Sequence, residues 1–218
     1  MATTAPTARH HRRPTRSWVR MRRCISVGLM LLAFPAHADA YATRGYAWPG
    51  PTIRYWPDTA NSGTAARYAA RRWNAARVGI TFRRARSRRT AQVVVGRGSA
   101  GCGGAANAGY YGPNRQTRVW IGTGCPDPRL TGLVATHELG HVLGLDHERS
   151  RCALMNPSFD RSGSRSRCPR RRLAFWYGSP LRVDDIRGAR SRYGRVSRPA
   201  RYSRDGERRT SSAPARHT

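Results

Sequence analysis

Lysine is absent from this 218-residue chain, so all 41 of its basic side chains are arginine. Acidic residues are scarce, eleven against those 41, and the formal charge is +30. Such an excess favours anionic partners such as nucleic acid, cell-wall polymers or acidic proteins. The arginines are nevertheless spread along the whole chain. They form no single block interleaved with aromatics, as a nucleic-acid reader would have. An arginine-only basic set reflects a GC-rich genome more than a function. The missing lysine also removes one nucleotide-binding reading. Gly101-Cys102-Gly103-Gly104 is glycine-rich, but a phosphate-cradling loop of the P-loop type needs a lysine and a strand-to-helix setting. It reads instead as a disulfide-braced loop.

No apolar run reaches membrane-spanning length. The run from Cys24 to Phe34 is too short to cross a bilayer. Basic residues precede it, and Ala36-His37-Ala38-Asp39-Ala40 follows with two overlapping A-x-A cleavage sites. Residues 1–40 therefore read as an export signal, cut after Ala38 or Ala40. The segment from Met21 would be a complete signal by itself, so a start at Met21 is expected. Cleavage after Ala40 leaves 34 basic and 10 acidic side chains, a formal +24, and removes Cys24. Four cysteines remain: Cys102, Cys125, Cys152 and Cys168. An even number in an exported chain implies two disulfides, with three pairings open. The two local loops, Cys102–Cys125 and Cys152–Cys168, are favoured.

The rest alternates between short strands and helices. Residues 41–50 read as an extended lead-in. Thr52 to Trp56, Ile80 to Phe82, Gln92 to Val95 and Thr117 to Ile121 carry strand patterns. Pro57 to Gly63 has turn chemistry. Over Thr64 to Val78, Ala65, Tyr68, Ala69, Trp73 and Ala76 recur at three- and four-residue steps, one face of a helix. Gly96 to Gly112 and residues 160–179 read as irregular. Asp127-Pro128 is a helix N-cap followed by proline at the first helical position. Leu130 to Leu143 should be helical and Gly144 should end it. Asp184 to Tyr193 is a final helix stopped by Gly194. Beyond Arg195 almost nothing is apolar, the composition of a disordered tail.

The decisive segment is His137-Glu138-Leu139-Gly140-His141-Val142-Leu143-Gly144-Leu145-Asp146-His147. Residues four apart share a helix face, so His137 and His141 can offer two imidazoles to one ion. Glu138 sits one step round, within reach of a water on that ion. A continuing helix would carry a third ligand away. Gly144 can take positive φ at little cost and turn the chain back, so that His147 closes the site. Three protein ligands leave zinc a fourth position, which marks a catalytic rather than a structural site. Glu138 is then the general base, and no nucleophilic serine or cysteine is needed. A single histidine would be better explained by packing or capping. Five positions in register are not.

Just downstream lies Ala153-Leu154-Met155-Asn156-Pro157. With the histidine segment it resembles the metzincin metallopeptidases, which place a methionine turn beneath the metal. Met155 maps onto that methionine. Within the metzincins the chain is most similar to the matrixins, and to their secreted bacterial members. The short gap from His147 to Met155, the Ala-Leu-Met-x-Pro-Ser-aromatic run ending at Phe159, and the helix from Asp184-Asp185 to Tyr193-Gly194 carry the likeness. It covers roughly residues 50–194.

The resemblance implies an α+β catalytic domain over residues 41–194. That domain has a twisted mixed sheet, a backing helix, an active-site helix and a C-terminal helix. It implies one catalytic zinc, a polypeptide substrate, a monomer, and an extracellular location. Pro157 and Phe159 would wall the pocket for the residue after the scissile bond, and Asp185 would brace the turn. Asp184 and Asp185 also suit a helix N-terminus by charge alone.

Some features depart from the matrixins. Glu148 stands after the third histidine, as in astacins. Matrixin-type latency through a cysteine switch is not expected. The ligands of a matrixin structural zinc are missing from residues 96–123, and the sequence leaves a calcium requirement open. A rival from another class is a basic protein that binds cell wall or another anionic polymer and keeps only a vestigial zinc site. Intact Glu138 argues against it.

Overall fold

The computed structural model describes residues 42–158 and 167–194. The expected export signal, the basic tail and Phe159 lie outside the described residues. Alternating side chains build the sheet. In β1 (Thr52–Pro57), Ile53 and Tyr55 are buried in the main core, while Arg54 between them is exposed. The other strands are β2 (Thr81–Arg84), β3 (Val93–Arg97), β4 (Gly104–Ala106) and β5 (Thr117–Ile121). Their order is β2-β1-β3-β5-β4. The first four are joined in parallel, and β4 runs antiparallel on β5 as the outer strand. This is the mixed sheet of the α+β expectation. Parallel neighbours need a crossover, and helix α1 (Ala60–Ala76) supplies it between β1 and β2.

Helix α1 begins at Ala60, earlier than its apolar periodicity indicates. Thr59 caps it. The Thr59 hydroxyl accepts from the Ser62 amide at 3.2 Å, and the Ser62 hydroxyl accepts from the Thr59 amide at 3.1 Å. Small hydroxylated residues suit turns and helix starts alike, because they satisfy exposed backbone amides in both. Helix α2 (Pro128–Val142) packs across α1. The fully buried Trp73 of α1 donates from its indole nitrogen to the Thr136 carbonyl of α2 at 2.9 Å. Val93, Val95, Val119 and Ile121 of the sheet complete this core.

Two further elements arise where the sequence reads as irregular. Strand β4 lies within the glycine-rich stretch 96–112. Helix α3 (Leu173–Gly178) lies within 160–179 and buries Trp176 against Leu133 and Leu154. Neither element carries a period long enough to register in the sequence. Each is held by partners remote in the chain. Helix α4 (Val183–Tyr193) closes the fold. The disulfides are the local ones, Cys102–Cys125 and Cys152–Cys168. The first ties the loop before β4 to the lead into α2, and the second ties the segment after the histidine run to the approach to α3.

Candidate metal centre

Helix α2 starts as its sequence dictates. The Asp127 carboxylate accepts from the Arg129 amide at 2.8 Å, and Pro128 occupies the first turn, where a missing amide costs nothing. Its end sets up the site. Gly144 takes φ +81°, the left-handed conformation. The Leu145 amide donates to the Gly140 carbonyl at 3.0 Å, and the Gly144 amide donates to the His141 carbonyl at 2.7 Å. Those two bonds are a Schellman closure. The reversed chain is then held by the lead-in: the Arg44 amide donates to the Gly144 carbonyl, and the Asp146 amide to the Ala42 carbonyl, both at 2.8 Å.

This reversal brings three imidazoles together. His147 Nε2 lies 3.2 Å from His137 Nε2 and 3.3 Å from His141 Nε2. The opposite ring nitrogens are anchored. His137 Nδ1 lies 2.8 Å from the Leu154 carbonyl and His141 Nδ1 lies 2.7 Å from the Leu145 carbonyl. A carbonyl only accepts, so each Nδ1 carries the proton and each Nε2 presents a lone pair to the shared centre. Lone pairs converging this closely repel unless a cation sits between them. Tetrahedral zinc with Zn–N of about 2.0–2.1 Å sets its nitrogens ~3.3 Å apart, which is the spacing found here. The three nitrogens therefore fit zinc, and the carbonyls behind them fix the ring orientations as outer-shell partners do.

The floor of the site is built from backbone contacts. Met155 is buried, and its sulfur lies against Gly140 on the inner face of α2. The Asp185 carboxylate accepts from the amides of Leu154 at 2.8 Å and Met155 at 3.0 Å, and also from Arg182 at 2.7 Å. Asn156 holds the loop from the other side, donating to the carbonyls of Glu148 at 2.7 Å and Arg151 at 2.8 Å. Glu148 is a structural brace as well. Its carboxylate accepts from the Ser150 hydroxyl at 2.6 Å and the Arg151 amide at 3.0 Å. Sequence reasoning singled out Asp185 but missed these roles of Asn156 and Glu148. Apart from the Ser150 hydroxyl, the partners named here are backbone groups, which leave no mark in the sequence.

The site opens into a cleft of about 920 Å³. Glu138, His137, His141 and His147 line it, with Val134 and Pro157. Glu138 is 4 % exposed. Gly104 of β4 lies so close that a Cβ there would meet the Glu138 side chain at 2.7 Å. Glycine is what lets the outer strand approach the carboxylate, a need with no local signal in the chain.

Three carboxyls near the site are shifted. Burial alone would raise Asp146, but the His147 amide and Arg44 outweigh it and hold the group below its ordinary range. Burial is likewise outweighed at Glu148, by hydrogen bonds from Ser150 and Arg151. Asp184 goes the other way: burial and the neighbouring Glu148 push it up against the pull of Arg151.

Known families match this sequence. The sequence model of the astacin peptidase family matches residues 40–154, more than half of the chain, and that of the matrixins matches residues 129–194. The two overlap on the histidine segment. The chain is also similar to matrix metalloproteinase-9 of Canis lupus familiaris, with 41% identity over 71 residues. That stretch is 32% of this chain and 8% of the relative, so the chain spans a small part of the protein it matches. With two zinc-fitting histidines on a helix, a third delivered by the turn after it and a buried methionine beneath them, the chain belongs to the metzincin zinc metallopeptidases.

Proposed function

We propose that the protein is a secreted, matrixin-type zinc endopeptidase that cuts internal bonds of extended polypeptides. The observation that carries this reading is the convergence of three Nε2 atoms at 3.2–3.3 Å, two of them backed by carbonyls. A zinc ion bound there supplies Lewis acidity toward the scissile carbonyl and toward a water whose pKa falls to about 7. The chain's own residues do the rest. The Glu138 carboxylate takes the proton of the attacking water and returns it to the leaving amine nitrogen. Burial suits Glu138 to this task, since few waters compete for its proton. The free edge of β4 pairs with the substrate backbone, a mode that needs no particular side chain. Val134 and Pro157 wall an apolar pocket for the residue after the scissile bond. Met155 and Asp185 act structurally, by fixing the carbonyl that orients His137.

The matrixin reading draws on the short spacing from His147 to Met155 and the match over residues 129–194. Residues 1–40 act as the export signal, residues 41–194 as the catalytic domain, and the basic tail as a surface tether. No helix among the described residues is long and apolar enough to cross a membrane. The test is cleavage of an unstructured protein by residues 41–218, with chelator, zinc add-back and Glu138→Ala. Chelation should abolish cleavage, zinc should restore it, and the variant should lose at least about a hundredfold in kcat. A folded, zinc-loaded protein that cuts nothing would overturn the reading.

A further inference from the structure

Charge is unevenly distributed along the cleft. Leu130 and Val134 lie about two turns and one turn before His137 and give the N-terminal end of α2 an apolar lining. At the C-terminal end of α2, Gly144 turns the chain back through Asp146 to His147. Arg44, Asp146 and, in the segment that follows Asp146 and His147, Arg149 also line the cleft. Arg44 and Asp146 cancel one another, with Nε to carboxylate at 2.6 Å. The Asp146 carboxylate also accepts from the His147 amide at 2.8 Å. Arg149 has no such partner. It is exposed, and no salt bridge among the described residues includes it. Among the described residues lining the cleft, Arg149 is therefore a guanidinium without an acidic partner, two residues beyond a zinc-fitting histidine.

The direction of a bound chain follows from β4. Gly104 lies at Glu138, and the chain then runs to Gly109, whose amide donates to the His141 carbonyl at 3.0 Å. Strand β4 thus points toward the C-terminal end of α2, where Arg44 meets Gly144. A substrate strand added antiparallel to β4, as β4 itself is to β5, runs the opposite way. Its residues before the scissile bond lie toward the C-terminal end of α2 and those after it toward Val134. The geometry points to Arg149 as a specificity-determining residue that takes an acidic substrate side chain on the N-terminal side of the scissile bond. This rests on the peptidase reading above. A guanidinium meets a carboxylate through two parallel N–H groups, which a lysine cannot imitate. The pair is solvent-exposed, so its effect is modest, about threefold, and salt weakens it.

The experiment compares two fluorogenic peptides with one apolar residue after the intended scissile bond. They differ only in Glu or Gln at the second and third positions before it. The full zinc-loaded chain should cleave the Glu peptide with about threefold higher kcat/KM at low salt. The difference should vanish in Arg149→Gln and at about 0.5 M salt, and it should survive in part in Arg149→Lys. Binding of the same peptides to the zinc-loaded Glu138→Gln variant, followed by fluorescence anisotropy, gives a readout independent of turnover. Equal kcat/KM and equal binding for the two peptides, or a preference that persists in Arg149→Gln, would overturn the assignment. If neither peptide is cut, the peptidase reading fails. Anisotropy then still decides the role of Arg149, by whether a Glu preference is seen and is lost with that side chain.

Discussion

Gly140 and Met155 are in direct contact through the missing side chain of the glycine: a Cβ at Gly140 would collide with the methionine sulfur. Gly140 lies between His137 and His141 on α2, so the methionine packs against the backbone that carries both imidazoles. Gly140→Ala should force Met155 off its position. Overpacking of this kind costs roughly 1–3 kcal/mol. A lower unfolding midpoint together with weaker zinc retention against a chelator is expected. Unchanged values for both would show that the floor is not tightly packed.

Gly144 makes a different demand. At φ +81° a β-carbon is strained, and it would also meet the Arg44 carbonyl at 2.7 Å. Gly144→Ala should misplace His147 more than it unfolds the protein, because the strain falls on the turn that delivers the third ligand. Competition with a chromogenic chelator should show zinc affinity dropping by more than the thermal midpoint of the chelated protein suggests.

Asp185 supports the same centre from a distance. Its carboxylate serves the amides of Leu154 and Met155, and the Leu154 carbonyl faces His137 Nδ1. Asp185→Ala leaves buried amides without an acceptor and should cost about 3 kcal/mol in denaturant unfolding. Asp185→Asn keeps one acceptor oxygen and should cost less.

Asp184 gives a pH signature of the opposite sense to an ordinary salt bridge. Burial and Glu148 raise its carboxyl above the unfolded value, so the folded chain holds its proton longer. As pH rises above about 4, the unfolded chain ionises first and stability falls through that window. Asparagine cannot ionise but can still donate to Glu148. With zinc in excess, the midpoint of Asp184→Asn minus that of the wild type should grow as pH rises above about 4. A constant gap would show that the shift at Asp184 does not bear on folding. The partner Arg151 is about half exposed, so loss of its bond should count for little.

Local rules specify the metal centre to an unusual degree. Two histidines four apart on a helix, a glycine to reverse the chain and a third histidine make a chemical statement within eleven residues, because helix geometry converts spacing into direction. The alternating strands β1 and β5, the start of α2 and the local disulfides were legible for the same reason. What surrounds that centre came from long-range packing alone. Strand β4 is three residues without a pattern of its own, and it becomes a strand because β5 offers it backbone partners. Gly104 is required only because Glu138 is opposite. Asn156 and Glu148 brace the methionine loop through backbone groups that any sequence possesses. Arg149 is one arginine among 41 until the fold sets it in the cleft and pairs Arg44 with Asp146, leaving Arg149 without an acidic partner among the described residues. A residue's chemistry is written in the sequence, but its neighbours are chosen by the packing of distant segments, and that choice settles which arginine matters.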